Sequence, residues 1–268
     1  MRVPFIKMHG LGNDFVVLDR REQAGEPVGP AVAQALADRH AGIGCDQLIL
    51  LEPSASADFA MRIFNSDGSE VEACGNASRA VAVLHGRPAR IETRGGLIAV
   101  EADGSGASVD MGKPRFDWDA IPLAEAMDTA ALPLAWDTLE NPAAVNVGNP
   151  HIVFFVHDLD AVDLEAIGPV IEHDPVFPNR INVNVAQVVP DGIRLRVWER
   201  GAGLTRACGT GACATAVVAI RRKLVPSPVT VHLPGGALDI AWDGDGAISM
   251  TGPAVESFRG TFEWSDYA

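Results

Sequence analysis

The chain repeats itself. Cys74 and Cys208 stand 134 positions apart, half of the 268-residue length, and their surroundings read alike: "FNSDGSEVEACGN" against "VWERGAGLTRACGT". Asn65 and Glu199 each precede their cysteine by nine residues. Upstream, "GLGNDFVVLD" aligns with "VGNPHIVFFV" and sets Asn13 against Asn149. Downstream, "RIETRGGLIAV" and "VTVHLPGGALDIAW" both place strand-like runs on either side of Gly-Gly, the sequence form of a hairpin. "SVDMGKPRF" and "ISMTGPAV" then close the halves in a similar strand and turn. Matches in the same order along both halves imply duplication, and duplication constrains the architecture before any single element is assigned.

Each half reads as strand, Gly/Asn turn, strand, helix, further strands, a helix led by its cysteine, a hairpin and a last strand. The first helix is predicted over 30–42 in one half and 163–173 in the other. The cysteine-led helices carry Ala77, Ala80, Val81 and Leu84, or Ala214, Val217, Val218 and Ile220, around nearly their whole circumference. A helix apolar on all sides must be covered on all sides. Strands are therefore expected to wrap around these two helices, which become the centres of two similar domains. "KPRFDWDAIPLAEAM", from Lys113, has the proline and acidic content of a linker. The expected domains are 1–116 and 117–258, with residues 259–268 returning to the first domain through a strand in "SFRGTFEW".

Composition narrows the function. No apolar run approaches the ~20 residues of a spanning helix, and "MRVPFIKMHG" lacks the apolar core of a secretion signal, so a cytoplasmic protein with no membrane partner is expected. A formal net charge of −14 repels phosphate backbones and argues against nucleic acid. With no export signal the four cysteines are expected as reduced thiols. Cys45 and Cys213 have no counterpart in the other half and are expected to be structural.

Cys74 and Cys208 are different. A helix N-terminus carries about half a positive charge and unpaired N–H groups, so a thiol there is expected to have its pKa drawn from ~8.5 toward neutrality. The same N–H groups can hold a carboxylate, and Gly75 and Gly209 leave room for a ligand to approach. Two such sites facing one cleft would place thiols on opposite sides of an α-carbon. One thiolate removes the α-proton, the other thiol delivers a proton to the opposite face, and the stereocentre inverts. That chemistry needs no cofactor. A pyridoxal Schiff base would need a lysine, and Lys7, Lys113 and Lys223 sit in no convincing cofactor context. No CxxC or HExxH cluster suggests a metal, and Cys208 and Cys213 have four intervening residues rather than two.

The motifs "KMHGLGNDFVVLD", "GIGCDQ", "FNSDGSEVEACGNASR", "VNVGNPHIVFFV", "FPNRINVNVAQV" and "RVWERGAGLTRACGTGACA" resemble the diaminopimelate epimerase family over essentially the whole chain. The resemblance implies an α+β fold of two pseudo-symmetric domains, each a mixed β-sheet curled around a central helix, and an enzyme that interconverts LL- and meso-diaminopimelate in lysine and peptidoglycan-precursor biosynthesis, working without cofactor and as a homodimer. It implies Cys74 and Cys208 as the base and acid pair. It implies that Gly75, Asn76, Gly209 and Thr210 supply N–H groups to the carboxylate at the reacting centre. Asn13, Gln47, Asn65, Asn149, Asn182, Glu199 and Arg200 fall on substrate-contacting positions, and His151 and Glu199 on positions that tune the cysteines. Leu204 and Asn184 depart from the family, which often has an acidic residue and a glycine there. Proline and hydroxyproline racemases share the fold and both thiols and stand as an alternative, as does an amino-acid-binding protein without turnover.

Overall fold

In this computed structural model of the 268-residue chain, residues 1–22, 25–72, 74–102 and 106–268 are described. They form two compact units, one of residues 1–109 with 251–268 and one of residues 110–250.

The first unit runs β1 (Arg2–Gly10), β2 (Asn13–Asp19), α1 (Pro30–Ala37), β3 (Gln47–Glu52), β4 (Phe59–Asn65), β5 (Glu70–Val71), α2 (Gly75–His85), β6 (Ala89–Thr93), β7 (Gly96–Ala102) and β8 (Ala107–Asp110). The second opens with the two-residue pair β9 (Ala135–Trp136) and β10 (Leu139–Glu140). It continues with β11 (Ala143–Asn146), β12 (Pro150–Phe155), α3 (Leu164–Glu172), β13 (Asn182–Val189), β14 (Gly192–Glu199), β15 (Gly203–Thr205), α4 (Gly209–Arg221), β16 (Val229–Leu233) and β17 (Gly236–Ala241). The chain then passes through β18 (Ser249–Gly252) into β19 (Val255–Glu263), which lies antiparallel to β1.

The pairing patterns of the two units are the same. β1–β2, β3–β4, β4–β5 and β6–β7 are antiparallel, while β2–β3 and β4–β6 are parallel. β11–β12, β13–β14, β14–β15 and β16–β17 are antiparallel, while β12–β13 and β14–β16 are parallel. Each parallel pair is bridged by a helix, as a crossover requires. Both hairpins turn on an X-Gly pair, Arg94-Gly95 and Pro234-Gly235, followed by a strand glycine.

α1 packs on β3 and β4 and α2 on β1 and β7, and both alternating faces of the parallel pair β2–β3 are buried, as its uninterrupted apolar runs "FVVL" and "LILL" require. Val16, Leu18, Leu48, Leu50 and Phe64 pack with Ala33 and Leu36 of α1, and the alternate residues Phe15, Val17, Ile49 and Leu51 are equally buried. In the second unit Ile152, Phe154, Val183 and Val185 pack with Leu164 and Ile171 of α3. α4 packs against β11, β12, β13, β14, β16 and β17, and Ala212 to Ala219 are all buried. The expected central helix is found.

Three boundaries differ from expectation for identifiable reasons. α1 stops at Ala37 rather than 42, because the Asp38 carboxylate takes the backbone N–H of His40 and Ala41, each at 2.7 Å, in a turn. The first unit ends at 109 and resumes at 251, rather than near 116 and 259. Arg115 exchanges two backbone bonds with Asn146 in β11, and the Thr251 hydroxyl meets that of Ser108 at 2.6 Å. The linker-like stretch is core-forming: Ile121 and Leu123 are buried in the cluster that includes α3, and Met127 packs against it.

Candidate active site

The shared topology delivers the same four chain positions to one end of each sheet. β2 and β3 run parallel, so Asn13 and Gln47 both begin strands at that end. β4 runs the other way and finishes there at Asn65, paired with Gln47. In the second unit β12 and β13 begin with Pro150 and Asn182, just after Asn149, and β14 ends at Glu199. His151 pairs with Asn182, and Val183 with Trp198; one further step of that register sets Asn182 beside Glu199. Asn13, Gln47, Asn65 and Cys74 thus correspond to Asn149, Asn182, Glu199 and Cys208. Gly12 and Gly148, both at positive φ (91° and 104°), make the turns that present Asn13 and Asn149.

Each cysteine is the N-cap of its helix, Cys74 of α2 and Cys208 of α4. None of the four cysteines is in a disulfide. Cys74 is partly exposed and Cys208 buried. The Cys208 sulfur accepts from the Gly211 backbone N–H at 3.3 Å and lies 3.5 Å from the Thr210 hydroxyl. These favour a thiolate, yet the Cys208 pKa is pushed well up, first by burial and then by the neighbouring Glu199 carboxylate, to which the thiol donates. The expected drop toward neutrality is therefore reversed at Cys208: desolvation of a buried sulfur beside a carboxylate outweighs the helix terminus. Glu199 is itself raised by burial, against hydrogen bonds from Thr205 and Cys208 that lower it.

In the first unit the polar residues form two pairs. The Asn76 amide donates to Asn13 Oδ1 at 3.2 Å, and Gln47 Nε2 donates to Asn65 Oδ1 at 3.1 Å. Gln47 Oε1 is buried with no protein partner. In the second unit Asn182 is buried, and its side chain donates to the Pro150 carbonyl and accepts the backbone N–H of Arg200 at 3.0 Å. It braces the Glu199–Arg200 corner more directly than it faces solvent. The exposed Arg200 guanidinium donates to the Asn179 carbonyl at 3.1 Å. His151 is wholly buried and contacts Asn149 and Asn184. Gly75 and Gly209 are the first residues of α2 and α4, where backbone N–H groups lack intrahelical acceptors.

Supporting residues escaped the sequence reading. Asp14 and Asp46 each accept the other's backbone N–H at 3.0 Å. Asp46 also takes the Asn13 amide, while Arg39 reaches both carboxylates at 2.6 and 2.7 Å and Lys7 reaches Asp14 at 2.5 Å. This network orients Asn13. Buried Glu172, at the end of α3, accepts Trp198 Nε1–H at 2.8 Å and the Gly201 N–H at 2.9 Å, clamping the chain on both sides of Glu199–Arg200. An acidic residue directly after Asn13 and directly before Gln47 was the available signal for the first network. Glu172 lies 27 positions from Glu199 in sequence and gave none.

A family model described as diaminopimelate epimerase matches residues 5–117 and 143–256. A diaminopimelate epimerase of Erythrobacter litoralis is 67% identical over the full length of both chains. Another, of Rhizorhabdus wittichii, is 63% identical, covering 100% of this chain and 98% of its own. A solved phenazine biosynthesis protein of the PhzF family from Enterococcus faecalis superposes with a TM-score of 0.72 over 98% of this chain and 100% of its own. At 14% identity that likeness concerns the fold alone.

Proposed function

The chain belongs to the diaminopimelate epimerase family and is an isomerase of that kind, and on that premise we propose that Cys74 and Cys208 invert the α-carbon of diaminopimelate between its LL and meso forms. The observation that carries the assignment is a thiol at the N-cap of the buried helix in each of two units of matching topology.

In one direction the Cys74 thiolate takes the α-proton, breaking the C–H bond, and the carbanion takes the Cys208 proton on its opposite face. Cys208 is the fitting acid, since burial and Glu199 keep its proton on sulfur. The thiolate left behind faces the Gly211 N–H and the Thr210 hydroxyl, which soften its charge. In the other direction the roles exchange. Gly75, Asn76, Gly209 and Thr210 offer helix-terminal N–H groups to the α-carboxylate. Asn13, Gln47, Asn65, Asn149, Asn182, Glu199 and Arg200 hold the remainder of the substrate, Arg200 by a charge-assisted bond to the distal carboxylate. His151 and Glu199 tune the thiols.

We infer a homodimer working in the cytoplasm, in line with the family's habit. Among the described residues no helix is long and apolar enough to cross a membrane. The decisive experiment incubates the enzyme with LL-diaminopimelate in heavy water. Deuterium at the α-carbon of meso product is expected, with proline as an inert control. Exchange on proline, or none on diaminopimelate, would overturn the assignment. Sedimentation at micromolar concentration tests the dimer.

A further inference from the structure

Among the buried positions at which the two units differ is a pair on neighbouring parallel strands. By register, Phe15 and Ile49 in β2 and β3 correspond to His151 and Asn184 in β12 and β13. All four side chains are wholly buried. The fold is therefore satisfied by two apolar residues here, and the second unit carries an imidazole and an amide at the cost of desolvating both. One helix position follows suit. Gly211, three residues after Cys208, corresponds to Ala77, and a Cβ on Gly211 would stand 2.7 Å from Asn184 Oδ1. Asn184 and Gly211 fit each other.

The orientation of this polar pair follows from one acceptor. The Ile152 carbonyl oxygen can only accept, and one end of the Asn184 amide lies 2.8 Å from it, so that end is Nδ2. The same nitrogen lies 3.1 Å from His151 Nδ1 and 3.4 Å from the Asn182 carbonyl, and as an amide nitrogen it can only donate to either. Nδ1 must then offer a lone pair, and the ring proton sits on Nε2. Nε2 lies 2.8 Å from Asn149 Oδ1 and donates to it. With its oxygen held by the ring, Asn149 is left with its Nδ2 hydrogens for an outside acceptor.

We propose that Asn184 is a positioning residue that selects the Nε2–H tautomer of His151 and, through it, makes Asn149 present an N–H donor to a carboxylate oxygen of the substrate. This rests on the reading of Asn149 as a substrate contact. A protonated ring would set N–H against N–H at Asn184, and burial already pushes the imidazolium down to about 3. His151 thus stays neutral and acts by direction rather than by charge.

The test uses full-length enzyme with 15N-labelled histidine, and long-range proton–nitrogen correlation spectra in which the His151 ring is identified by its loss in His151→Gln. The wild type is expected to show the Nε2–H pattern. Asn184→Ala, which leaves Nδ1 without its donor, is expected to show a mixture of tautomers and a KM about fivefold higher with kcat changed less. Asn184→Asp offers only acceptors and is expected to draw a proton onto Nδ1. An Nδ1–H wild type, or an Asn184→Ala ring identical to wild type, overturns the proposal. The ring signal needs no substrate, so it separates this proposal from the reading it rests on. A shifted tautomer with unchanged KM would overturn the presentation of Asn149 to substrate.

Discussion

At Cys208 opposed effects meet on one sulfur atom. The helix terminus, the Gly211 N–H and the Thr210 hydroxyl favour thiolate, while burial and Glu199 favour thiol, and the latter prevail. Removing the Glu199 charge should shift the balance. Glu199→Gln is expected to lower the Cys208 pKa, seen as thiolate ultraviolet absorbance rising at lower pH than in wild type. Identical titrations would mean that Glu199 does not act on this sulfur. His151 makes a second prediction, about stability. Its folded pKa of about 3 lies below the unfolded 6.5, so the unfolded chain binds the extra proton. The contribution is fully present above pH 6.5 and is lost as pH falls toward 3, at up to about 1.4 kcal/mol per pH unit. Urea unfolding of the wild type and His151→Gln from pH 7 to 4 should show the steeper acid loss in wild type. Parallel curves would refute the buried neutral ring.

The helices and strands differ in how much of them could be read in advance. α4 was legible because small and apolar residues at nearly every position have only one physical resolution, enclosure, and α2 because it repeats that helix's start and its Ala77, Ala80 and Val81. The hairpins were legible in "RGGL" and "PGGA". The end of α1 was not, because a side chain, Asp38, competes with the helix for the N–H groups that follow. The cysteines, Asn13, Asn149 and Glu199 were found as matched positions in two copies. Glu172 and Asn184 were beyond that method, since Glu172 acts through long-range packing and Asn184 has the apolar Ile49 as its counterpart. Gly211 is where helix and strand meet most closely. A Cβ there would lie 2.7 Å from Asn184 Oδ1, 3.0 Å from Val197 Cγ2 and 3.2 Å from Cys208 Sγ. Gly211→Ala is expected to cost about 2 kcal/mol through overpacking and to displace the sulfur, lowering kcat more than it raises KM. A variant as stable and as fast as wild type would show that the close approach is not needed.

Across the whole molecule, duplication supplied two copies of one scaffold, and the reaction asks different things of them. A structural role for the cysteines and a chemical one predict different arithmetic. If Cys74 and Cys208 only filled space in their own units, their losses would be independent and would add. If they are the two ends of one proton transfer, removing either leaves a step with no donor or no acceptor, and removing the second takes away nothing more. Cys74→Ala and Cys208→Ala are each expected to lower epimerisation by about 10³-fold or more, and the double variant to be no worse than either. Unfolding midpoints serve as the check on structure, since each substitution removes only a sulfur at a helix start. A double variant whose loss is the product of the two single losses would mean that the thiols work separately, and the two-base reading of both units would fall with it.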